Sequence, residues 1–582
     1  MVFERGVQIM ESIDLDSLPR LLPLTIGIVG HRNIADSHVE RVRRQITEIL
    51  NSYRSQAPST PILLLTAMAL GADQIAAEVG FGLEGVQVVA ILPMPVKEYE
   101  RDFEPTDSVA AFHSSLAKCL SVMEYKNFEG VGENALDAKF SPDFQISEKD
   151  RDLAYRDCGR FISQQSHILI AVWDGEITSY VAGTSDTVSH RLNSSKDRSA
   201  FITTAPLWPQ ESGVLLQIPA AREGVSAKES PSFGEFSGEH IKLLTKDLEP
   251  NSWNAKDRDD VIDNFEIING LLKNRSRSTP PCSPLTERLM RVVDREATRL
   301  QLLFKRQASL LLILGVFSLF MIDLQHDLSS LYTYFLTLVF LITTVVIWFF
   351  FVRGTLKDRF YQFRSLAEGL RVQSVWISCG MQKNASDDFL RGIPDVLWIP
   401  RAMRTAHFVD YLAGTADNGD PILSVAKSWI ASQIHYFGGV DGSMGAIERA
   451  RKKTELFERI SLSGVGLAFL CLLLDGWRFL HGLSPLPEWL THDAQVTLHL
   501  SLAVSAAIAA YSQLMAFREI ERQYEVSFHI FKQGEALLEF AGDAGNSEIE
   551  QVRSVVTQIG KEALQETGTW LALKRDRAVH PI

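Results

Sequence analysis

Three glycine-bearing turns place groups able to hold a phosphate. Gly30, His31 and Arg32 directly follow the apolar run Leu-Thr-Ile-Gly-Ile-Val. A glycine there lets a ligand approach the backbone, and an arginine beside it can offer two parallel N–H bonds to a phosphate. Gly71, Ala72 and Asp73 repeat the arrangement after a second apolar run. The free N–H groups of a helix N-terminus carry positive partial charge toward an anion. Asp73 has two readings, an acceptor for ribose hydroxyls or an N-cap for the helix it opens. His31 also has two, ligand contact or a hydrogen bond to backbone. The third turn is Trp173-Asp174-Gly175, followed by Gly183-Thr184-Ser185-Asp186. Thr184 can donate to a phosphate, whereas Asp186 can serve as a helix cap. Pro93 closes another apolar run, and Tyr99 and Asp102 stand one helical turn apart after it, with Glu98 beside them. Tyr99 either lines the pocket or packs on the sheet. One glycine turn is weak evidence for a phosphate; three at successive run ends are better.

The elements that must carry these turns are legible. Continuous apolar runs at 24–30, 61–66, 86–92, 167–173 and 213–218 predict buried strands. An amphipathic pattern over 37–53, and another opened by 69–73, predict helices between them. Strands alternating with helices predict an α/β doubly wound, Rossmann-like domain, in which ligands sit at the carboxyl ends of the strands. The candidate residues fall at those ends. No Walker loop, nucleophile triad or metal-ligand spacing is present in the sequence, so no catalytic or metal-binding residue is assigned, and no cofactor beyond a nucleotide-derived ligand is expected. The net charge of −13 over 582 residues argues against nucleic acid as a partner. Five scattered cysteines fit a reducing compartment better than a disulfide framework. The first 20 residues carry no apolar run of the secretory type.

Beyond residue 300 the composition changes. Apolar stretches at 308–322, 332–352, 460–474 and 496–517 approach or exceed the length needed to cross a bilayer core. Basic residues flank them on one side: Lys305 and Arg306, Arg353 and Lys357, Arg449 to Arg459, Arg518 and Arg522. The intervening loops, 323–330 and 475–493, hold only Arg478. The positive-inside bias then predicts two hairpins turning outside, with both termini cytoplasmic and the membrane bilayer as a partner. Tyr332, Trp477 and Trp489 suit the outer interface. Asp323 and Asp475 occupy equivalent places in the two hairpins. They are either solvated at the interface or gathered by an oligomer into acidic rings around an outer mouth, because four helices enclose too little space for a channel.

The expected organisation is a nucleotide-binding domain at 1–225, a variable insert and linker at 226–284, and a first transmembrane hairpin with its cytoplasmic helix at 285–380. A cytoplasmic connector follows at 381–446, then a second hairpin with its helix at 447–545 and a helical tail at 546–582. Ser, Glu and Gly enrichment at 224–238 predicts a mobile loop, and Ser-Arg-Ser-Thr-Pro-Pro-Cys-Ser-Pro at 276–284 a linker. Each hairpin has a charged amphipathic lead-in, 287–306 and 447–459, and a long exit helix, 359–371 and 519–540. Two such units read as a duplication.

Gly27 to Arg32, Leu65 to Gln74, Leu92 to Pro95 with Tyr99 and Asp102, Trp173-Asp174-Gly175 and Gly183 to Asp186 together resemble the SLOG superfamily. Its members are Rossmann-like domains related to LOG enzymes and DprA proteins, and the resemblance covers about 22–222. It implies a nucleotide-type or cyclic-nucleotide-type ligand. LOG enzymes carry a glutamate that supports glycosidic cleavage; here Gly183-Thr184 is followed by Ser185, Asp186, Thr187 and Val188. That departure favours a sensor over an enzyme. Tyr361 with Leu366-Ala367-Glu368-Gly369-Leu370-Arg371, then Trp398, Trp429, Gln433, Tyr436 and Phe437, resembles the SLATT membrane domains of bacterial conflict systems. That resemblance covers about 285–540. Together they imply an oligomeric effector of antiphage defence in the bacterial inner membrane, paired with a co-encoded enzyme that makes the signal. The alternatives are a membrane-tethered nucleotide or nucleoside hydrolase of the LOG type and a regulated ion channel.

Overall fold

The computed structural model describes residues 7–9, 18–103, 106–125, 148–176, 182–193, 214–223, 252–275, 283–328, 330–381, 383–390, 393, 396–414, 422–440, 442–481, 488–541 and 548–576. The chain divides into two compact units, Met1–Val293 with Ser365–Asp420, and Asp294–Arg364 with Pro421–Ile582.

The first unit is built on a seven-stranded sheet. Its strands are β1 (Val7–Ile9), β2 (Leu24–Gly30), β3 (Ile62–Thr66), β4 (Val86–Leu92), β5 (Ser121–Tyr125), β6 (Ile168–Trp173) and β7 (Val214–Pro219), in the order β1-β5-β4-β3-β2-β6-β7. β2 to β7 run parallel, and β1 pairs antiparallel with β5 at the edge. The interior strands are buried on both faces because helices cover them, which is why they read as unbroken apolar runs. The chain leaves β2 toward β3 on one side and returns to β6 on the other. The crevice between the ends of β2 and β6 is therefore the switch point, where ligands of such sheets sit.

Helices α1 (Asp36–Gln56), α2 (Ala72–Phe81), α3 (Val96–Tyr99), α4 (Thr106–Leu116), α5 (Glu148–Gln165) and α6 (Thr184–Asn193) connect the strands. Two helices expected elsewhere are anchored to the same unit. In α7 (Ser252–Arg275) the Asn269 side chain accepts from the Leu22 N–H and donates to the Leu22 carbonyl, both at 2.8 Å. Glu266 of α7 accepts from the Ser59 N–H at 2.9 Å. His167, at the start of β6, lies 3.1 Å from the Thr405 hydroxyl, although 238 residues separate them. Much of the segment expected as a connector thus belongs with the sheet. Asp410 accepts from the N–H groups of Leu285 and Thr286, at 2.5 and 2.9 Å, at the start of the helix that runs on to the first apolar stretch.

The second unit is helical. Four helices, α8 (Leu285–Leu328), α9 (Leu331–Arg353), α13 (Ala446–Leu480) and α14 (Glu488–Met515), are long and apolar enough to cross a membrane. The remaining helices are α10 (Leu356–Ser378) and α11 (Trp398–Leu412), with α12 (Ile422–Gly438), α15 (Phe517–Ala541) and α16 (Glu548–Asp576) in this unit. The expected lead-in helices and spans are single continuous helices. The turns are also shorter than expected, since α8 continues to Leu328 and α13 to Leu480. Asp323 and Asp475 therefore stand inside helices rather than in loops.

α8 and α9 meet through Ser318 and Thr344, 3.0 Å apart, and through the Phe317 and Phe340 rings. α13 and α14 meet where the Ser461 hydroxyl donates to the Ser505 carbonyl at 3.1 Å and Gly464 faces the Ser505 hydroxyl. Small residues let backbones approach where lipid removes any hydrophobic drive between helices. Phe304, Ala308 and Met515 form a buried cluster packed by Phe351, Tyr511 and Phe517. In the polar part of the unit, Trp429 of α12 stacks edge-on against Phe531 of α15, and Tyr361 against Trp570 of α16.

Candidate functional site

Gly30 ends β2, and a methyl group on it would fall 2.3 Å from the Ala72 methyl and 2.8 Å from the Val172 carbonyl. Gly71 has φ +79°, and a methyl there would strike the His31 and Arg32 carbonyls at 2.5 and 2.3 Å. The two turns therefore pack backbone on backbone, as only glycine allows. The His31 carbonyl accepts from the Ala72 N–H at 3.1 Å, which consumes one of the free donors of α2. The structure brings Gly71 and Ala72 against Gly30, His31 and Arg32.

Asp73 does not cap its helix. Its carboxyl reaches back to accept the Ala69 N–H at 3.3 Å, pinning the turn after β3, and only 5% of the residue is exposed. Burial pushes its pKa up to about 7, opposed by the backbone N–H of Ala69 and the charge of Arg32. A carboxyl so placed can donate as well as accept near neutrality.

His31 Nε2 accepts the Asp174 N–H at 3.0 Å and lies 3.2 Å from the Asp174 carboxylate. Burial lowers the His31 pKa in spite of Asp174, and Arg222 lowers it further. Toward the Asp174 N–H, Nε2 acts as the acceptor. Asp174 is bound by Arg222 at 2.8 Å; although burial opposes ionisation, the Glu176 N–H, His31 and Arg222 lower its pKa. The backbone-contact reading of His31 therefore holds at Nε2. Gly175 and Gly183 take positive φ of 85° and 103°, closing the turns that carry Asp174 and Thr184. Asp186 pairs with Arg160 at 3.3 Å, rather than standing open to a ligand.

A second cluster borders the first. Arg32 lies over the Tyr155 ring at 4.8 Å and holds the Asp102 carboxylate at 3.1 Å. Arg151 holds the same carboxylate at 2.5 Å, and the Tyr155 hydroxyl donates to it as well. Pro93 is buried where β4 ends. Tyr99 packs edge-on against Phe103 and Phe112, but its hydroxyl is buried without a hydrogen-bond partner, within electrostatic reach of Arg32 and Asp73. The indole N–H of Trp173, at the end of β6, is also buried and unpartnered. Of the two readings of Tyr99, packing is the one seen here, against Phe103 and Phe112.

Arg151, Tyr155 and Arg222 were not anticipated as site residues. Arg151 and Tyr155 stand four apart on α5, on one helical face, which is the local signal that existed. Nothing near Arg222 in the sequence points to Asp174. Among the described residues no group of three or more His, Cys, Asp or Glu is placed to hold a metal. The segments 224–238 and 276–282 lie outside the described residues, as does the side chain of Asp475. Asp323 pairs with His499 of α14 at 3.2 Å. Comparison with known families and with characterised proteins gives no match to this chain.

Proposed function

We propose that the sheet unit is the cytoplasmic sensor of a nucleotide-derived, phosphorylated ligand, and that the four apolar helices are its membrane effector. The reading rests above all on the convergence of Gly30, His31 and Arg32 with the Gly71 turn at the strand ends beside the switch point, with the carboxyl of Asp73 buried among them. In this account Arg32 and the N–H groups of α2 that follow Ala72 hold phosphate, and His31 and the buried carboxyl of Asp73 read polar groups of the ligand. Asp174 joins the site through His31, and Gly175, Gly183, Thr184 and Asp186 complete the proposed ligand contacts.

The effector is a homo-oligomer in the bacterial cell membrane, with four spans and both termini cytoplasmic. Ligand binding acts along α8, which by chain belongs to both units, and leads to a pore or to membrane disruption in antiphage defence. The two hairpins are copies of one unit. Coupling of this kind requires the ligand to prefer one membrane state.

The test is mass spectrometry of small molecules released from the full-length protein purified from infected and uninfected cells. A phosphorylated nucleoside derivative is expected in stoichiometric amount, more of it after infection, and released intact. Absence of any such molecule from both preparations would overturn the reading. A cleaved product, formed by the protein from the intact compound, would establish the hydrolase alternative instead.

A further inference from the structure

We infer that Arg32, Arg151 and Tyr155 form the subsite for a dianionic phosphate group, and that Asp102 fills this subsite as an internal counter-anion which the ligand displaces. The inference rests on the phosphorylated-ligand reading and adds residues and a competition to it. Two guanidinium groups and a phenol converge on one carboxylate. Arg32 Nη2 is 3.1 Å from one oxygen and Arg151 Nη2 is 2.5 Å from the other, while the Tyr155 hydroxyl donates to the first. Arg151 also donates to the Tyr155 oxygen at 3.3 Å, so the donors are fixed relative to each other. Burial first, and the Asp102 bond second, raise the Tyr155 pKa to about 12, so the phenol remains a donor at neutral pH.

This donor set fits a phosphate better than its present occupant. A carboxylate carries one charge and two oxygens; a phosphate monoester carries nearly two charges and three free oxygens. Asp102 neutralises one of the two cations it touches. Glu98 is the other carboxylate near Arg151, at 3.8 Å, and it is closer to Arg101, at 3.0 Å. The subsite is open on one side, because the Arg32 side chain is 43% exposed against 18% for Arg151 and 16% for Asp102. Independent of these ion pairs, the Tyr99 hydroxyl, on a residue 1% exposed, is buried without a partner beside them. A structural tether between α5 and the 96–103 turn accounts for the Arg151–Asp102 pair. It does not account for the further donors on the same carboxylate, Arg32 and Tyr155, or for the orphaned hydroxyl.

The experiment measures inorganic phosphate binding to the full-length chain in detergent at pH 8, by calorimetry and by the rise in melting temperature. Asp102→Asn should bind phosphate about tenfold more tightly than the parent, since it removes a competing charge-assisted bond. It should also melt lower without phosphate and recover as phosphate is added. Arg151→Ala should bind about tenfold more weakly, and Asp102→Asn with Arg151→Ala should lose the gain. Tyr155→Phe, which keeps the packing ring, should weaken binding severalfold. If Asp102→Asn binds phosphate no better than the parent, or if Arg151→Ala leaves binding unchanged, the cluster is a structural tether and the inference fails. A protein that retains a nucleotide derivative while these variants leave its affinity unaltered keeps the proposed function and loses the subsite. The expected phosphate response without any retained nucleotide does the reverse.

Discussion

The two units of this chain treat their apolar groups in opposite ways. The sheet unit buries its apolar runs completely and also buries polar groups among them: Asp73, His167, Asp410, the Tyr99 hydroxyl and the Trp173 indole. The helical unit turns large apolar side chains outward, with Leu462 70%, Phe350 68% and Val345 59% exposed. In water the second pattern would be an aggregation liability, and on four helices of spanning length it marks a lipid-facing surface. The first pattern costs stability wherever a buried polar group lacks a partner, and it is tolerated where a ligand supplies one. Binding chemistry is therefore to be sought in the sheet unit, and solvent adaptation in the helical one.

The largest expected effect breaks the first half of that contrast. Asp73 has a folded pKa raised to about 7, against an ordinary carboxyl near 4. Below about pH 4 the carboxyl is protonated in both states and costs nothing. As pH rises from about 4 to about 7, the unfolded chain ionises while the folded chain keeps its proton, so stability falls through that window and levels above it. The full difference is roughly 4 kcal/mol. Asp73→Asn should remove it: the melting temperature of the variant relative to the parent should climb between pH 4 and 7 and then stay flat. A difference independent of pH would show that Asp73 is ionised in its crevice.

The second effect breaks the other half. Val345 is exposed near the middle of α9, so on a water-facing helix Val345→Arg would be harmless. In a lipid-facing span the same change costs about 2.5–3.5 kcal/mol of insertion. The variant should leave the membrane fraction or be degraded, and unaltered recovery from membranes would contradict a lipid-facing α9.

The smallest effect sharpens the contrast where the chain passes between units. Asp410 caps α8 from α11, and Asp410→Ala should cost about 1 kcal/mol, as loss of an N-cap does. Thermal unfolding of the full chain should show it, with Asp410→Asn, which keeps one acceptor oxygen, restoring part of the loss. Equal melting of parent and alanine variant would mean that the cap contributes nothing.

The legibility of these features in sequence follows from their range. β2, β3, β4, β6 and β7 were readable because a strand buried on both faces is a continuous apolar word. β1 and β5 were not: Val-Gln-Ile is three residues at an edge, and Ser-Val-Met-Glu-Tyr alternates with polar residues. The four apolar helices were readable from composition alone, whereas their ends were not, since polar turns of helix extend beyond the apolar core. In the site, the glycine turns were legible because backbone conformation demands that residue. The Asp102 cluster and the Asp174–Arg222 pair were not, because their partners come from separate elements. The anchoring of α7 and α11 to the sheet depends on single contacts, Asn269 with Leu22 and Thr405 with His167, which leave no periodic trace.

The link between the strand-end crevice and the membrane is tested most directly by cation flux from liposomes containing the full-length protein. The measurement adds the small-molecule fraction released from protein of infected cells, and compares the parent with Arg32→Ala. The account predicts flux from the parent only when that fraction is present, and at least tenfold more fraction needed by the variant, as loss of a charge-assisted bond implies. Flux without the fraction, an equal response from Arg32→Ala, or no response from the parent would contradict it.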